Sequence, residues 1–230
     1  MKKIVVLSGA GISAESGIPT FRDADGLWEG HDVMEVASPN GWAANPELVL
    51  EFYNARRKNA LDVQPNKGHI ALAQLEEHFD VTIVTQNVDN LHERGGSSNV
   101  VHLHGSLFES RSTSDEHLIY PIEGWELKLG DMCEKGSQLR PNIVWFGEMV
   151  PLMETAAKLA NQSDIFIIVG TSMVVYPAAG LIDYVPDTVP KYVIDPKMPD
   201  IFPRPNLHLR EEKGSDGLAQ LVQELIEKAV

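Results

Sequence analysis

The stretch that decides the fold is Lys3–Gly17, KIVVLSGAGISAESG, near the start of a 230-residue chain. Its apolar run Ile4–Leu7 is short and continuous, which is typical of a strand buried in a parallel sheet. A Gly9-x-Gly11-x-x-Ala14 turn follows at once and opens a segment that can be helical. A strand, a glycine turn and a helix start predict a place where backbone N–H groups face a pyrophosphate, because glycine permits close backbone approach.

The residues that follow do not fit an ordinary dinucleotide-dependent dehydrogenase. In that fold a second strand ends in an Asp or Glu about 20 residues after the glycines and holds a ribose. Here that distance falls on Asp23–Trp28, a polar loop with no strand before it, and the next convincing strand is Val81–Thr85. The sequence therefore favours nucleotide binding and disfavours the usual hydride transfer.

The segment Ile18–Asp23 has two interpretations on local evidence alone. Pro19 ends any helix begun at Ile12 and leaves Phe21 and Arg22 side by side in an exposed loop. The segment is either an ordinary loop anchored by Phe21 or a mobile lid over the nucleotide.

Composition limits the class of protein. Apolar residues make up 43% and charged residues 23%, as in a soluble enzyme, and the net charge of −14 disfavours nonspecific binding to nucleic acid or anionic membrane. Cys133 is the only cysteine, which excludes an intrachain disulfide and agrees with a reducing compartment. With no signal-peptide pattern and no apolar run near the roughly 20 residues of a membrane span, we expect a cytoplasmic monomer without a membrane partner.

Strand and helix patterns alternate along most of the chain, which predicts an α/β fold with a doubly wound parallel sheet. The predicted helices are 47–62, 66–79, 153–162, 178–184 and 216–229, and the predicted strands are 4–7, 80–85, 99–105, 143–148, 165–169, 191–195 and 207–209. Residues 106–140 lack strong periodicity. We therefore expect a Rossmann-like part of about 1–30, 66–105 and 141–230, with a small inserted module of about 31–65 and 106–140.

Polar residues follow several predicted strands, where open α/β sheets bind ligands. Gln86, Asn87 and Asp89 come after the strand 80–85, and their amides and acid favour a binding role over a simple turn. His102 and His104 alternate with Leu103 and should lie on one side of a strand, either as structural residues or with one as a general base. Gly170–Ser172 is a second small-residue turn suited to phosphate or ribose.

Tyr53 and Arg56 lie three residues apart on the predicted helix 47–62 and so share one face. Taken alone, this spacing favours an exposed face with an arginine whose stem lies along the surface.

Taken together, these motifs resemble the sirtuins, the NAD-dependent protein lysine deacylases. The matching segments occur in the family's order: Gly9–Ser13, Gly17–Asp23, Gln86–Asp89, His102–Gly105, Val144–Glu148 and Gly170–Ser172. The resemblance implies a Rossmann-like domain with a smaller module, between which NAD and an acyl-lysine peptide bind. NAD would be consumed to give nicotinamide, free lysine and O-acyl-ADP-ribose.

The resemblance also implies roles for individual residues. His104 would be the general base, which suits an imidazole because it titrates near about 6.5. Asn87 and Asp89 would hold the ribose and the nicotinamide carboxamide, and Phe21 and Arg22 would belong to a lid that shields the reacting carbon from water. The remaining residues expected to contact NAD are Gly9, Ala10, Gly11, Ser13, Glu15, Thr20, Gln86, Gly170, Thr171, Ser172, Asp195 and Asp216. Val144, Phe146, Gly147 and Glu148 would line the peptide groove.

One sirtuin class removes succinyl and malonyl groups and binds the acyl carboxylate with Tyr-x-x-Arg. Tyr53-Asn54-Ala55-Arg56 matches this motif, and Ala37 matches the small residue that widens the pocket. A guanidinium pairs bidentately with a carboxylate and a phenol adds a donor. We therefore predict removal of succinyl and malonyl groups, together with deacetylation.

The chain departs from the family's pattern at two places. Most sirtuins bind a structural zinc through four cysteines, whereas this chain has Cys133 alone, with Ser112 about where a first cysteine is expected. We predict no zinc, and a module held by apolar residues: Ile119, Tyr120, Ile122, Trp125 and Leu127. Asp195 stands where the family usually has Asn beside the adenosine ribose, and we expect this to alter NAD affinity.

Two other functions use the same residues. An ADP-ribosyltransferase would attach ADP-ribose to an acceptor, and a non-catalytic sensor would bind NAD or ADP-ribose without releasing nicotinamide. The presence of both His104 and Asn87 argues against the sensor.

Overall fold

Two larger sheets and one two-stranded sheet, β2–β3, organise the computed structural model of this chain, which describes residues 1–20 and 27–229. The strands are, in chain order, β1 (Lys3–Ser8), β2 (Leu27–Trp28), β3 (His31–Asp32), β4 (Asp80–Thr85), β5 (Val100–His102), β6 (Gly105–Ser112), β7 (Ile119–Pro121), β8 (Leu139–Ile143), β9 (Ile165–Val169), β10 (Lys191–Ile194) and β11 (Leu207–Arg210). The helices are α1 (Ala10–Ala14), α2 (Val33–Val36), α3 (Pro39–Ala44), α4 (Pro46–Asp62), α5 (Lys67–Leu75), α6 (Leu91–Arg94), α7 (Met153–Asn161) and α8 (Gly214–Glu227), with a 3₁₀ helix over Ala178–Tyr184.

The larger sheet has six strands in the order β5–β4–β1–β9–β10–β11, and every adjacent pair is parallel. This is the doubly wound order of Rossmann folds, in which the chain builds outward from β1 in one direction and then in the other. The switch lies between β1 and β9, so ligands are expected at the carboxyl ends of these two strands. The prediction of a doubly wound α/β fold is confirmed.

Aliphatic side chains cover both faces of this sheet. On one face, Ile4, Ile83 and Ile167 pack against α5 and α8; on the other, Leu7 and Ile168 pack against α7 and the 3₁₀ helix. Strands covered on both faces need continuous apolar runs, which explains why β1, β4 and β9 were recognisable from sequence.

The smaller sheet is antiparallel, with the order β7–β6–β8, and it packs against α4 through Leu107, Ile143 and Trp145. The predicted apolar support of this part was wrong in most positions, because Ile119 and Trp125 are exposed and only Leu127 of the predicted five is buried. A buried arginine on α4 provides support instead. Arg57 donates to the carbonyl oxygens of Leu107 and Trp125 and to Asn54 Oδ1.

Several predicted boundaries need correction. Residues 144–148 are not a strand, since β8 ends at Ile143, and His104 lies after β5 and outside it. Helix α5 ends at Leu75, four residues early, and residues 178–184 form a 3₁₀ helix. Residues 144–148 and His104 lie outside regular strands because their backbones pair with other segments. Val144 N–H donates to His104 O, and Phe146 N–H donates to Ala37 O.

Within residues 1–20 and 27–229, no helix combines the length and the apolar composition that crossing a bilayer requires.

Candidate active site

The loops after β1 and β9 are packed backbone to backbone. Gly9 N–H donates to Val169 O at 3.0 Å, and Gly11 N–H donates to Gly170 O at 2.8 Å. A Cβ on Gly11 would lie 2.7 Å from Gly170 Cα, and Gly170 itself has φ +62°. The glycines therefore allow two loops to meet. We predicted that the backbone N–H groups of this turn face a pyrophosphate. The N–H groups of Gly9 and Gly11 instead donate to backbone oxygens of the neighbouring loop.

The loop after β4 carries the polar residues predicted there, and the structure brings them together. Asn87 Nδ2 donates to Ser13 Oγ at 3.0 Å and to Gly9 O at 3.1 Å. The Ser13 hydroxyl in turn hydrogen-bonds the Asp89 carboxylate, which also accepts from Leu91 N–H at 3.0 Å. Burial raises the pKa of Asp89. This chain of contacts orients an amide and a carboxyl group at the edge of the sheet.

Gln86 joins this loop to the one after β9. Its Nε2 donates to Thr171 Oγ1 at 3.1 Å, while its backbone oxygen faces His104. The strand ends of β1, β4, β5 and β9 thus meet around Gln86.

His104 is held as a neutral imidazole with one free nitrogen. Its Nδ1 lies 3.0 Å from Gln86 O, and since a carbonyl can only accept, Nδ1 carries the proton. Nε2 is then unprotonated and can take a proton. Burial lowers the pKa of His104, against the opposing effect of the Gln86 hydrogen bond, so the neutral form persists at neutral pH. These are the properties that a general base requires.

His102, two residues earlier, has the opposite character. Its Nδ1 faces Asn87 O at 2.9 Å and its Nε2 faces Glu93 Oε1 at 2.7 Å, so both nitrogens donate and the ring is an imidazolium. Burial favours the neutral ring, but the Glu93 hydrogen bond and charge outweigh it and raise the pKa of His102. The expected placement of both histidines on one side of a strand was wrong, because β5 ends at His102.

Sequence reasoning missed a buried network beneath this site. Ser8 Oγ donates to Thr85 Oγ1 at 2.8 Å, so His92 Nε2, 2.8 Å from Ser8 Oγ, must be the donor of its pair. Thr85 Oγ1 also accepts from Asn87 N–H. In the sequence, this network was indicated only by the polar residues Ser8 and Thr85 at the ends of two apolar strands.

Glu15, which the resemblance places in contact with NAD, is exposed and contacts the C-terminal helix. Its carboxylate accepts from Ser215 N–H at 2.9 Å and from Ser215 Oγ at 2.6 Å, at the start of α8. Asp216, the next residue, pairs with Lys67. Asp195 is buried after β10 and accepts from Lys197 N–H at 2.9 Å.

Tyr53 and Arg56 are buried on the inner face of α4, so the expectation of an exposed face was wrong. The Tyr53 hydroxyl accepts from Trp145 Nε1 at 3.1 Å and is left with its own proton to donate, and burial raises its pKa to about 12. Arg56 lies 4.2 Å from the centre of the Trp28 ring and forms an ion pair with Glu29 at 3.3 Å. Arg56 Nε has no partner in the described part of the chain.

The residues expected to line a peptide groove follow β8. Phe146 is 41% exposed and its N–H donates to Ala37 O, which joins this segment to α2. Gly147 has φ +90° and Glu148 turns back to the small sheet. The Glu148 carboxylate accepts from Arg140 at 2.8 and 3.1 Å, from Arg111 and from Trp145 N–H. Glu148 therefore holds this turn in shape.

Some predictions lie outside what the structure describes. Phe21 and Arg22 fall in residues 21–26, whereas Thr20 and Ser172 are described and half-buried. Within residues 1–20 and 27–229, no three His, Cys, Asp or Glu side chains are grouped closely enough to hold a metal ion. The buried Cys133 lies beside Ser112, whose hydroxyl hydrogen-bonds it and lowers its pKa.

Comparison with known proteins agrees with this geometry. The Sir2 family pattern matches residues 9–177. A protein of Helicobacter pylori (strain ATCC 700392 / 26695) named NAD-dependent protein deacylase is 55% identical over 229 residues, covering 100% of both chains. A Bacteroides thetaiotaomicron protein of the same name is 54% identical over 231 residues, covering 98% of this chain and 99% of its own.

Solved structures show the same likeness in three dimensions. A Sir2 homologue in complex with NAD has a TM-score of 0.89 and 41% identity, covering 100% of this chain and 91% of its own. A Sir2 protein bound to an acetylated peptide has a TM-score of 0.80 and 29% identity, covering 96% of this chain and 92% of its own. The two bacterial relatives are both named NAD-dependent protein deacylase, and the chain belongs to the Sir2 family of enzymes.

Proposed function

We propose that this Sir2-family enzyme is an NAD-dependent protein lysine deacylase that removes succinyl and malonyl groups as well as acetyl groups. The first part is supported by relatives of that name at more than 50% identity over the whole chain. The second part depends on one observation, the buried and incompletely paired guanidinium of Arg56.

The nucleotide would be held by the loops after β1, β4, β9 and β10. When bound, NAD supplies a ribose carbon that loses nicotinamide and accepts the acyl oxygen. Asn87 and Asp89 are proposed to orient the ribose and carboxamide, because Ser13 already fixes both side chains. Thr171, Ser172 and Asp195 would face the adenosine side, and Phe21 and Arg22 are proposed to exclude water. Ala10 and Thr20 complete this proposed set.

His104 is proposed to take a proton from a ribose hydroxyl through Nε2. The hydrogen bond from Nδ1 to Gln86 O fixes the tautomer that leaves Nε2 free, and Val144 N–H holds the His104 backbone. A base whose pKa lies below that of ordinary imidazole is unprotonated at neutral pH. The same property argues for catalysis over a non-catalytic sensor.

The acyl-lysine is proposed to enter between the six-stranded sheet and the smaller module, along Val144–Glu148. Ala37, a small buried residue joined to Phe146, would leave room for a longer acyl chain. Tyr53 and Arg56 would then receive its terminal carboxylate. A guanidinium that is 7% exposed, and whose one salt bridge among the described residues is with Glu29, is stabilised by a further anion, because burial penalises an uncompensated charge.

Two further expectations belong to this proposal. The module is proposed to fold without zinc, as Cys133 has a serine where a second ligand would stand. A cytoplasmic location agrees with a chain that has one cysteine.

The test is nicotinamide release with acetyl- and succinyl-lysine peptides side by side, in the parent and in Arg56→Met. We expect the variant to lose succinyl turnover by about 100-fold or more, since a bidentate charged pair is lost, and to keep acetyl turnover within a fewfold. Lys58→Met, an exposed cation two residues on, is the matched control and should change neither rate.

An equal loss with both peptides would contradict the acyl assignment. Nicotinamide release that leaves ADP-ribose attached to the peptide would favour the transferase instead.

A further inference from the structure

The turn between β2 and β3 holds a residue that its backbone does not favour. Glu29 and Gly30 join Trp28 to His31 as a two-residue loop, with φ +51° and +85°. Such a loop with two positive φ values is a type I′ turn, which prefers Asn, Asp or Gly at its first position. A glutamate there is unfavourable for the backbone. The contact made by its side chain therefore offers a reason for a glutamate at this position.

That contact is Arg56. Glu29 Oε1 accepts from Arg56 Nη1 at 3.3 Å, and no second carboxylate pairs with Arg56 among the described residues. The pair is long and uses one oxygen, whereas strong guanidinium–carboxylate pairs are shorter and bidentate. Arg56 is 7% exposed and Glu29 28% exposed. The arginine is thus fixed inside, and the glutamate reaches it from the side of the solvent.

The two partners differ in how firmly they are held. The Arg56 guanidinium stacks over Trp28 at 4.2 Å and lies 5.6 Å from Phe52, within one helix and its packed neighbours. Glu29 also lines an open cavity of about 210 Å³ together with His31, Leu48, Glu51, Phe52 and Ala55. This space lets the Glu29 side chain withdraw without moving α4.

We infer that Glu29 is an internal competitor for the acyl pocket, occupying Arg56 until the terminal carboxylate of a dicarboxylic acyl chain displaces it. The inference rests on the proposed function of Arg56. A neutral acyl group leaves the Glu29–Arg56 pair intact, so the buried cation stays compensated during deacetylation. A succinyl group supplies its own carboxylate and must first exchange with Glu29. Glu29 therefore sets the ratio of charged-acyl to neutral-acyl turnover.

The test compares kcat and KM for acetyl- and succinyl-lysine peptides in the parent, Glu29→Gln and Glu29→Asn. Gln keeps the shape of the side chain and removes its charge, whereas Asn suits the type I′ turn and protects folding. We expect both variants to lower the succinyl KM by about three- to tenfold, with kcat little changed, since a competing charged partner is removed. The acetyl kcat/KM should not improve. Glu51→Gln, on the wall of the same cavity, is the control and should leave both KM values unchanged.

The outcomes separate this inference from the proposal it rests on. If the parent removes succinyl groups through Arg56 but neither Glu29 variant lowers the succinyl KM, Glu29 is only a turn residue and the inference is wrong. If acetyl and succinyl KM fall together, the pocket has merely widened, which also overturns it. If the parent is inactive on succinyl-lysine and both Glu29 variants gain that activity, Glu29 is the competitor and the proposed wild-type specificity is wrong. Inactivity of all three proteins on succinyl-lysine overturns both.

Discussion

The six-stranded sheet and the three-stranded sheet of this molecule are stabilised by different kinds of side chain. Aliphatic residues cover the six-stranded sheet, and a neutral network of Ser8, Thr85 and His92 lies beneath its strand ends. The three-stranded sheet is joined to α4 by the buried Arg57, and the buried Arg140 joins it to the turn at Glu148. The proposed site lies between them. His104 stays neutral on the first side because burial lowers its pKa, whereas the second side is proposed to receive an anion because Arg56 is a buried cation there.

The largest expected effect is on His104, the proposed general base between the two sheets. His104→Gln removes the free ring nitrogen and should lower deacylation by about 10²–10⁴-fold, the usual contribution of a general base. Unfolding should be little affected, because Gln can still donate to Gln86 O. The check is single-turnover kinetics beside a melting curve.

A matched change at His102, whose ring is an imidazolium, should not reproduce that loss of rate. In the parent, the acid limb of the rate profile should lie below pH 6.5, since burial lowers the pKa of His104. A limb above pH 6.5, or equal losses in His102→Gln and His104→Gln, would contradict the division of roles between the two rings.

The buried arginine support of the three-stranded sheet is tested by Arg57→Met. Its three acceptors, Leu107 O, Trp125 O and Asn54 Oδ1, would lose their donor in a buried place, which should lower the free energy of unfolding by about 3 to 5 kcal/mol. Chemical denaturation measures this. Lys58→Met, on the same helix but exposed, should change it by less than about 1 kcal/mol. A small effect of Arg57→Met would mean that the module is held by its apolar contacts.

The neutral histidines beneath the six-stranded sheet are tested by measuring the free energy of unfolding as the pH is lowered. Burial lowers the pKa of His69 to about 4, whereas the unfolded chain binds this proton near about 6.5. The unfolded state therefore takes up the proton first. The contribution of His69 is complete above pH 6.5 and is lost as the pH falls from 6.5 toward 4, by up to about 3 kcal/mol.

His92, whose ring lies 5.0 Å from that of His69, also has a lowered pKa through burial and adds to this loss. His69→Gln is the informative variant. His69 Nδ1 accepts from Asn66 N–H as the third residue of a capping box, a position that Gln also fills. The variant should unfold with a weaker pH dependence, and an unchanged dependence would show that other groups determine acid stability.

The smallest effect belongs to a contact between the two ends of the chain. Glu15→Ala removes the acceptor of Ser215 N–H at the start of α8 and should lower the free energy of unfolding by about 1 kcal/mol. Lys67→Ala, which breaks an exposed pair with Asp216, should cost less. If Glu15→Ala leaves stability unchanged but weakens NAD binding, the original prediction of a nucleotide contact is the correct one.

Local pattern was sufficient for most of the six-stranded sheet. Continuous apolar runs such as Ile165–Val169 are typical of strands covered on both faces, and the polar residues after them predict the ligand-binding edge. The small sheet was harder to predict, because its strands alternate irregularly and are partly exposed.

The sequence by itself indicated the doubly wound α/β fold and the family, and it singled out Asn87, Asp89 and His104 as the proposed centre of the site. Periodicity and strand-end chemistry are local, so they can be seen along the chain. Only the tertiary structure decided which histidine is neutral, why Gly9 and Gly11 are glycines, and that Arg56 is buried against Glu29. Protonation and burial depend on partners 9 to 27 residues away in the chain, and the close approach joins the loop after β1 to the loop after β9. No local pattern contains that information.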